Sequence, residues 1–283
     1  MTVAALLAHA RRLLTGAGRE AAAAPAGPGL DAEVLLAHVL EVSRARLRSH
    51  PEAAVERARQ QRFLELLARR ARGEPLAYLT GHREFWSLGL TVTPAVLIPR
   101  PETELLVERA LALGGGAGTR VADLGTGSGA IVLALAHERP QWRLVATDVS
   151  VAALAVARAN AAALGQTSVE FLAGSWFEPL GVRRFELIVS NPPYVAADDP
   201  ALADPALAHE PRLALTAGAD ALAHLRTLAR GAAAYLAPGG WLALEHGAAQ
   251  APAVRAELVA AGFAHVRSHR DLAGHERTTE GQR

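Results

Sequence analysis

The chain has 283 residues, with 29 Lys+Arg against 28 Asp+Glu, no cysteine and one methionine, and all 29 bases are arginine. The missing cysteine excludes a disulfide framework, a thiolate nucleophile, an iron–sulfur cluster and cysteine zinc sites. The missing lysine excludes a Schiff-base amine, a Walker lysine and a kinase-type strand lysine, because arginine stays protonated and cannot act as an amine nucleophile.

A chain this long buries roughly 75% of its unfolded surface, and its length favours about two domains. Hydrophobic residues make up 51% and charged residues 20% of the composition, as expected of a globular protein, although alanine supplies much of the apolar count. The longest run without a charged residue is the 15 from Phe85 to Pro99. Glycine and proline interrupt it, and it is shorter than the roughly 18 residues a membrane helix needs. The opening MTVAALLAHARRLL lacks a basic start, and Arg11 and Arg12 cut its apolar run. It reads as an amphipathic helix rather than a secretory leader, so a cytoplasmic location is expected.

From Thr2 to Arg72 the apolar residues recur at helical spacing, as in Leu35, Leu36, Val39, Leu40 and again Phe63, Leu64, Leu66, Leu67. About three helices and no strand are expected. They are broken by the Ala/Gly/Pro-rich stretch Gly16 to Gly29 and restarted by Ser49-His50-Pro51-Glu52, where proline fits a first turn and the acid suits a helix N-terminus. Gly73-Glu74-Pro75 ends this unit, so residues 1–75 form a small all-α domain.

Beyond it, over residues 76–283, short β-rich runs alternate with alanine-rich helices, the pattern of a mostly parallel sheet with crossover helices. Glu84-Phe85-Trp86 and Leu90-Thr91-Val92 predict a hairpin around a Ser-Leu-Gly turn. Strands are expected at 120–124, 143–147, 169–172, 185–190 and 241–245, with helices over about 102–113, 130–137, 151–164 and 220–235.

Asp123-Leu124-Gly125-Thr126-Gly127-Ser128-Gly129 carries a strand into a glycine loop and then a helix. Such a loop lets the backbone approach a ligand, and the helix start offers unpaired N–H donors. Asp148 stands 19 residues after Gly129, at the end of the next strand, where a carboxylate can accept from both hydroxyls of a ribose. Together these features indicate a nucleoside, without separating nicotinamide dinucleotides from S-adenosylmethionine; the alternate-position glycines favour the latter, which has no pyrophosphate. Ser190-Asn191-Pro192-Pro193-Tyr194 closes the fourth strand at the same sheet edge. A planar amide or exocyclic nitrogen is a weak nucleophile because its lone pair is delocalised. The Asn191 side-chain oxygen and the Pro192 carbonyl can each accept one of its N–H groups, with Tyr194 packing on the planar group.

With Asp123 to Gly129, Asn191-Pro192-Pro193-Tyr194 resembles the class I S-adenosylmethionine-dependent methyltransferases that modify planar nitrogen. Gly73-Glu74-Pro75-Leu76-Ala77-Tyr78-Leu79-Thr80-Gly81, Glu84-Phe85, Val96 to Glu104, Ser175-Trp176-Phe177 and Leu244-Glu245-His246-Gly247 are similar to the release-factor glutamine methyltransferases, the PrmC/HemK family. The likeness runs from about residue 73 to 277.

The resemblance implies a class I (Rossmann-like) fold with a mostly parallel seven-stranded sheet and helices on both faces, after the helical domain. It implies methylation of the side-chain nitrogen (N5) of the glutamine in the Gly-Gly-Gln motif of class 1 peptide chain release factors, with S-adenosylhomocysteine as product and no metal. By position, Asp123, Gly125, Thr126, Gly127, Ser128, Gly129, Asp148, Trp176 and Asn191 bind cofactor, Trp176 lining the adenine pocket. Asn191, Pro192, Pro193 and Tyr194 hold the glutamine, with Asn191, Pro192 and Tyr194 as the catalytic set, and no general base is assigned.

Two departures stand out: Ala208 replaces the arginine usual before Glu210-Pro211, and Thr278-Thr279-Glu280-Gly281-Gln282 is more polar than a final strand, so that strand is expected short or frayed. His265, His269 and His275 show no carboxylate arrangement around them and receive no metal. Trp86 and Trp241 read as packing residues, and Glu102 and Glu104 as acids favouring a helix start.

An adenine-N6 DNA or RNA methyltransferase, and a methyltransferase acting on a ribosomal-protein glutamine, are the alternatives, alongside a non-catalytic cofactor-binding module. Residues 76–283 hold 17 Arg and 20 acids, a net of minus 3, which disfavours direct nucleic-acid binding. The first 75 residues carry 12 Arg and 8 acids; Glu41 to Arg72 alone holds 9 Arg and 4 Glu, a candidate face for an acidic release factor. A monomer is the default expectation.

Overall fold

The computed structural model describes residues 1–16 and 27–283, so the greater part of the expected Gly16–Gly29 break lies outside the described residues. The chain divides into two compact units: Met1–Gly81 with Asp204–His209, and His82–Ala203 with Glu210–Arg283.

The first unit is helical, with α1 (Val3–Gly16), α2 (Pro28–Leu40), α3 (Arg44–Ser49), α4 (Arg57–Ala71) and α5 (Leu76–Thr80). Leu6, Leu35, Leu36, Phe63, Leu66 and Leu67 form its core, as the helical spacing of those residues requires. The helix expected to start near Pro51 begins instead at Arg57. The reason is a competing use of the backbone: the Pro51 and Ala53 carbonyls accept from Ala4 and Val3, and the Val55 amide donates to the Met1 carbonyl. Residues tied to the start of α1 in this way are not available for a helical ladder.

In the second unit β1 (His82–Phe85) pairs antiparallel with β2 (Leu88–Thr91). The turn is Trp86-Ser87, with φ of 52° and 58°, not the expected Ser-Leu-Gly. Leu88 and Leu90 face the core, and that alternation fixes the register one residue earlier. Trp86 holds its left-handed backbone because its amide donates to Glu104 Oε1 (2.9 Å) and its indole to Glu138 Oε1 (2.8 Å).

After α6 (Glu104–Leu113) come β3 (Arg120–Leu124), α7 (Ala130–Glu138), β4 (Arg143–Asp148), α8 (Val151–Ala163), β5 (Glu170–Ala173) and β6 (Phe185–Ser190). A connection with β7 (Val195–Ala196), α9 (Arg212–Leu215) and β8 (Thr216–Gly218) leads to α10 (Ala223–Ala232), β9 (Leu236–Glu245), α11 (Ala251–Ala260), β10 (Ala264–Arg270) and β11 (Glu276–Gln282). The main sheet has seven strands in the order β10-β11-β9-β6-β3-β4-β5. The last five are parallel, and β11 runs antiparallel to both neighbours. Side-chain alternation supplies two cores: Val121, Leu144 and Leu187 pack with α6 and α7 on one face, and Ala122, Val145 and Ile188 with α10 and α11 on the other. This is the expected class I methyltransferase architecture.

The C-terminal strand corrects the expectation of a short or frayed end. β11 pairs along its length between β9 and β10, with Thr278, Thr279 and Glu280 fully buried. Two of these buried side chains are matched: Glu280 accepts from Arg109 Nε (3.0 Å) and Arg267 Nε (2.6 Å), and Thr279 Oγ1 shares a 2.7 Å hydrogen bond with His246 Nε2, whereas Thr278 Oγ1 has no hydrogen-bond partner. His269 Nε2 also lies 3.1 Å from Glu280 Oε1, so this histidine does face a carboxylate, as part of an ion-pair cluster. A buried charge held by two guanidinium groups is tolerated where an unpaired one is not.

Candidate active site

The strands β3, β4, β5, β6 and β9 all end at one edge, and the chain order reverses between β3 and β6. Ligands of open α/β sheets bind at such a switch point. A cavity of about 310 Å³ opens there, lined by Gly125, Thr126, Gly127, Ser128, Asp148, Trp176, Asn191 and Pro193, with Thr103, Arg100, Leu213 and His224 completing its walls. Its volume falls at the low end of the roughly 300–1,000 Å³ typical of small-molecule sites.

The glycine loop is held from below. The Gly125 and Thr126 amides donate to the Thr147 carbonyl at 2.8 and 2.9 Å, which folds the loop over the end of β4. Gly125 has φ of +76°, and an added Cβ would stand 3.2 Å from the Trp176 ring, so both the conformation and the approach of the indole require glycine. Asn160, buried on α8, donates to the carbonyls of Ser128 (2.9 Å) and Thr91 (3.0 Å) and accepts from the Thr91 amide (2.8 Å). One side chain thereby fixes both the loop and β2.

Asp123 is fully buried beneath the loop, accepts from the Thr126 hydroxyl at 2.7 Å, and leaves Oδ1 without a hydrogen-bond partner. Burial pushes its pKa up to about 7, against the lowering effect of the Thr126 hydroxyl and the Val132 amide. Asp148 accepts from the Gly127 amide (2.9 Å) through Oδ2 and from the Ser150 amide (2.8 Å) through Oδ1. Each carboxylate oxygen has a further acceptor site, so the cavity wall presents an oriented carboxylate that can still take two hydroxyl donors. Trp176 has a left-handed φ of 45°, its carbonyl accepts from the Thr147 hydroxyl at 3.0 Å, and its ring lies 5.4 Å from that of His224. Burial holds the His224 pKa down, favouring a neutral imidazole beside the indole.

At the end of β6, Asn191 Nδ2 donates to Thr103 Oγ1 at 3.2 Å. Pro192 is buried and Tyr194 half-buried, and neither stands on the cavity wall. The Tyr194 phenol donates to Glu245 Oε1 (3.3 Å), and its carbonyl accepts from Gln250 Nε2 (2.9 Å). Glu245 closes β9 with 1% exposure; burial raises its pKa to about 7, while the Thr103 and Tyr194 side chains and Arg277 act against the rise. Burial also pushes the Tyr194 phenol well above its ordinary range, so it remains a neutral donor. At the cavity mouth Glu210, 4% exposed, accepts from Arg100 Nη2 (2.5 Å) and the Ile98 amide (3.1 Å), which gives the retained Glu210-Pro211 pair a structural role.

Of the sequence-derived residues, Gly125 to Ser128, Asp148, Trp176, Asn191 and Pro193 meet in one cavity, while Asp123, Gly129, Pro192 and Tyr194 support it from behind. Thr103, Asn160, Glu210 and Glu245 were assigned no role from sequence. Glu245 carries the same signal as Asp148, an acid ending an apolar strand, and Asn160 is a lone amide in an alanine-rich helix.

S-adenosylmethionine suits this lining: a ribose diol meets the Asp148 carboxylate and a planar base meets Trp176. Residues 5–81 match the family model described as PrmC N-terminal domain, and residues 101–217 the Methyltransferase small domain. A release factor glutamine methyltransferase of Burkholderia pseudomallei is 53% identical, covering 89% of this chain and 91% of its own. One from Vibrio cholerae is 44% identical over 283 residues, covering 100% and 97%. Among solved structures, a methyltransferase from Pyrococcus furiosus shares the fold, with TM-score 0.53, 18% identity, and 80% of this chain and 98% of its own covered. On this combined ground the chain belongs to the release factor glutamine methyltransferase family.

Proposed function

We propose that the protein transfers the methyl group of S-adenosylmethionine to the side-chain amide nitrogen of the glutamine in the Gly-Gly-Gln motif of class 1 peptide chain release factors. The observation that carries this reading is the placement of Asn191 and Pro193, from the Asn-Pro-Pro-Tyr motif, on the wall that also presents Asp148 and the glycine loop. The bound cofactor supplies an electrophilic sulfonium methyl. The chain supplies position: Asp148 orients the ribose, the loop from Gly125 to Gly129 wraps the methionine part, and Trp176 packs on the adenine. Asn191 Oδ1 and the Pro192 carbonyl accept the two amide hydrogens of the glutamine, which fixes the amide plane, raises the electron density on nitrogen and turns its lone pair, perpendicular to that plane, toward the methyl carbon. Holding nitrogen in line with the methyl carbon provides the remaining rate gain, and no basic side chain is needed, since the proton leaves a nitrogen made cationic by transfer.

Residues 1–75 serve as the domain that binds the substrate protein, and residues 76–283 as the hairpin and catalytic domain. Arg44, Arg48, Arg69 and Arg70 pair with Glu33, Glu74 and Asp31; Arg57, Arg59 and Arg62 on α4 are exposed, with Arg59 donating to the Leu40 carbonyl (2.8 Å) and Arg62 lying 3.8 Å from Glu65 at the surface. The exposed set is the candidate contact for an acidic release factor. None of the helices among the described residues is long and apolar enough to cross a membrane, and a cytoplasmic location goes with this substrate. Purified protein incubated with S-adenosylmethionine and a release factor should add the mass of one CH₂ to the Gly-Gly-Gln peptide in mass spectrometry. Methyl transfer to DNA or RNA instead would overturn the reading.

A further inference from the structure

Leu244-Glu245-His246-Gly247 closes β9 next to the end of β6, and its histidine sits in an unbroken row of hydrogen bonds. Arg255 Nη1 on α11 donates to Ser268 Oγ at 2.7 Å. Ser268 Oγ lies 2.8 Å from Thr279 Oγ1, Thr279 Oγ1 lies 2.7 Å from His246 Nε2, and His246 Nδ1 lies 3.0 Å from the Gly247 carbonyl oxygen. The two ends fix the direction of the row, because a guanidinium can only donate and a carbonyl can only accept. His246 has no exposed surface, and burial holds its pKa below the ordinary value, with Arg277 and Arg255 pushing the same way and the Gly247 carbonyl and Glu276 pushing against it. A neutral imidazole carries one ring proton, and the Gly247 carbonyl requires it on Nδ1. Nε2 must then accept from the Thr279 hydroxyl, whose oxygen accepts from the Ser268 hydroxyl, so that every hydrogen in the row has an acceptor.

From Gly247 the connection continues to the substrate turn. The Gly247 amide donates to Gln250 Oε1 at 2.8 Å, the Gly247 carbonyl also accepts from the Gln250 amide at 2.9 Å, and Gln250 Nε2 donates to the Tyr194 carbonyl at 2.9 Å. One partner of the Gln250 side chain is a backbone donor and the other a backbone acceptor, which leaves its amide a single orientation. Glu245 accepts from the Tyr194 phenol, so one segment holds Tyr194 at both ends. Neither His246 nor Gln250 stands on the cavity wall. We propose that His246 and Gln250 are positioning residues: His246, locked as the Nδ1–H tautomer, fixes the Gly247 peptide, and Gln250 carries that order to the Tyr194 carbonyl and so to the Asn-Pro-Pro-Tyr turn. The proposal rests on the role given to that turn under the proposed function.

The test uses the full-length protein. In wild type carrying isotope-labelled histidine, with His246 assigned through its backbone correlations, NMR should find the ring proton on Nδ1 and none on Nε2; a proton on Nε2 would overturn the proposal. Gln250→Glu matches the size of the native side chain and keeps the acceptor for the Gly247 amide, but it sets a carboxylate oxygen against the Tyr194 carbonyl. It should lower kcat by about 10–100-fold, the range seen when a partner that orients a metal-binding side chain is removed, with S-adenosylmethionine affinity by calorimetry at the wild-type value. Protonation of the new carboxyl restores one donor and one acceptor, so the ratio of variant to wild-type kcat should climb as the pH is lowered from about 8 toward about 5. Unchanged kcat in Gln250→Glu, a ratio that does not respond to pH, or an equal loss of cofactor affinity would overturn the proposal. Independently of turnover, the Tyr194 carbonyl carbon resonance should shift in Gln250→Leu, and an unmoved resonance would count against it. Absence of methyl transfer by the wild type would count against the proposed function alone, and the His246 tautomer and the Tyr194 resonance would still decide the positioning roles.

Discussion

Replacing Asp123 by Asn should make the ligand-free protein relatively more stable as the solution becomes alkaline. Asp123 has no exposed surface, and burial raises its pKa from the ordinary 3.8 to about 7, with a further push from Asp148. In the unfolded chain the same carboxyl ionises near 3.8. Because the folded value is the higher one, the stability contributed by the neutral carboxyl is complete below the unfolded pKa, is lost as pH rises to about 7, and changes no further beyond it. At about 1.4 kcal/mol per pH unit, the whole interval corresponds to a loss of about 4 kcal/mol, an order-of-magnitude figure. Asn does not titrate and keeps an acceptor for the Thr126 hydroxyl. Its NH₂ group introduces a cost where Oδ1 has no partner, but that cost is the same at every pH. The assay is urea unfolding of both proteins at about pH 5 and pH 9. The stability of the variant relative to the wild type should rise by about 3 kcal/mol across that range, since part of the loss is already complete at the lower pH. An equal difference at the two pH values would show that Asp123 is not held neutral by burial, and the reasoning would be refuted.

Asn191→Ala should lower kcat by about 100–1,000-fold with cofactor affinity retained, measured by methyl incorporation and calorimetry, because one amide hydrogen loses its acceptor. Loss of cofactor binding of the same size would show that Asn191 acts mainly on the cofactor and not as the clamp on the glutamine amide. Gly125→Ala should weaken S-adenosylmethionine binding about tenfold, since a φ of +76° costs a non-glycine residue about 1–2 kcal/mol and the new Cβ meets Trp176 at 3.2 Å. Wild-type affinity in a calorimetric titration would count against the loop geometry. Charge reversal at Arg57 and Arg62 should reduce release-factor affinity while leaving cofactor affinity in place, and parallel loss of both would argue against a partner surface on α4.

The strand-and-helix alternation from residue 120 onward was legible because parallel strands buried on both faces read as short apolar runs. The observed bounds of β3, β4 and β6 lie within a residue of the expected ones. The hairpin turn was displaced by one residue, since its register is set by which side of β2 meets the core. The polar final strand was unreadable for a related reason. Glu280 looks like a solvent residue until Arg109 of α6, 171 residues away, and Arg267, opposite it on β10, are brought to it.

By itself, the sequence determined the chemistry available to this protein. Without lysine or cysteine, the glycine loop, a strand-end acid and Asn-Pro-Pro-Tyr left a cofactor electrophile and a set of hydrogen-bond acceptors as the working parts. Those motifs are local, because each needs only a strand, a turn and the residue that follows. Tertiary structure alone decided which of those residues reach the cavity and which hold it in place. Asn160, Glu210, Thr103 and Glu245 act through partners 32, 110, 88 and 51 residues away, in bonds to Ser128 and Arg100, from Asn191 to Thr103, and from Tyr194 to Glu245. Partners so far apart in sequence meet only when the sheet sets β6 between β3 and β9, because no local segment contains both members of such a pair.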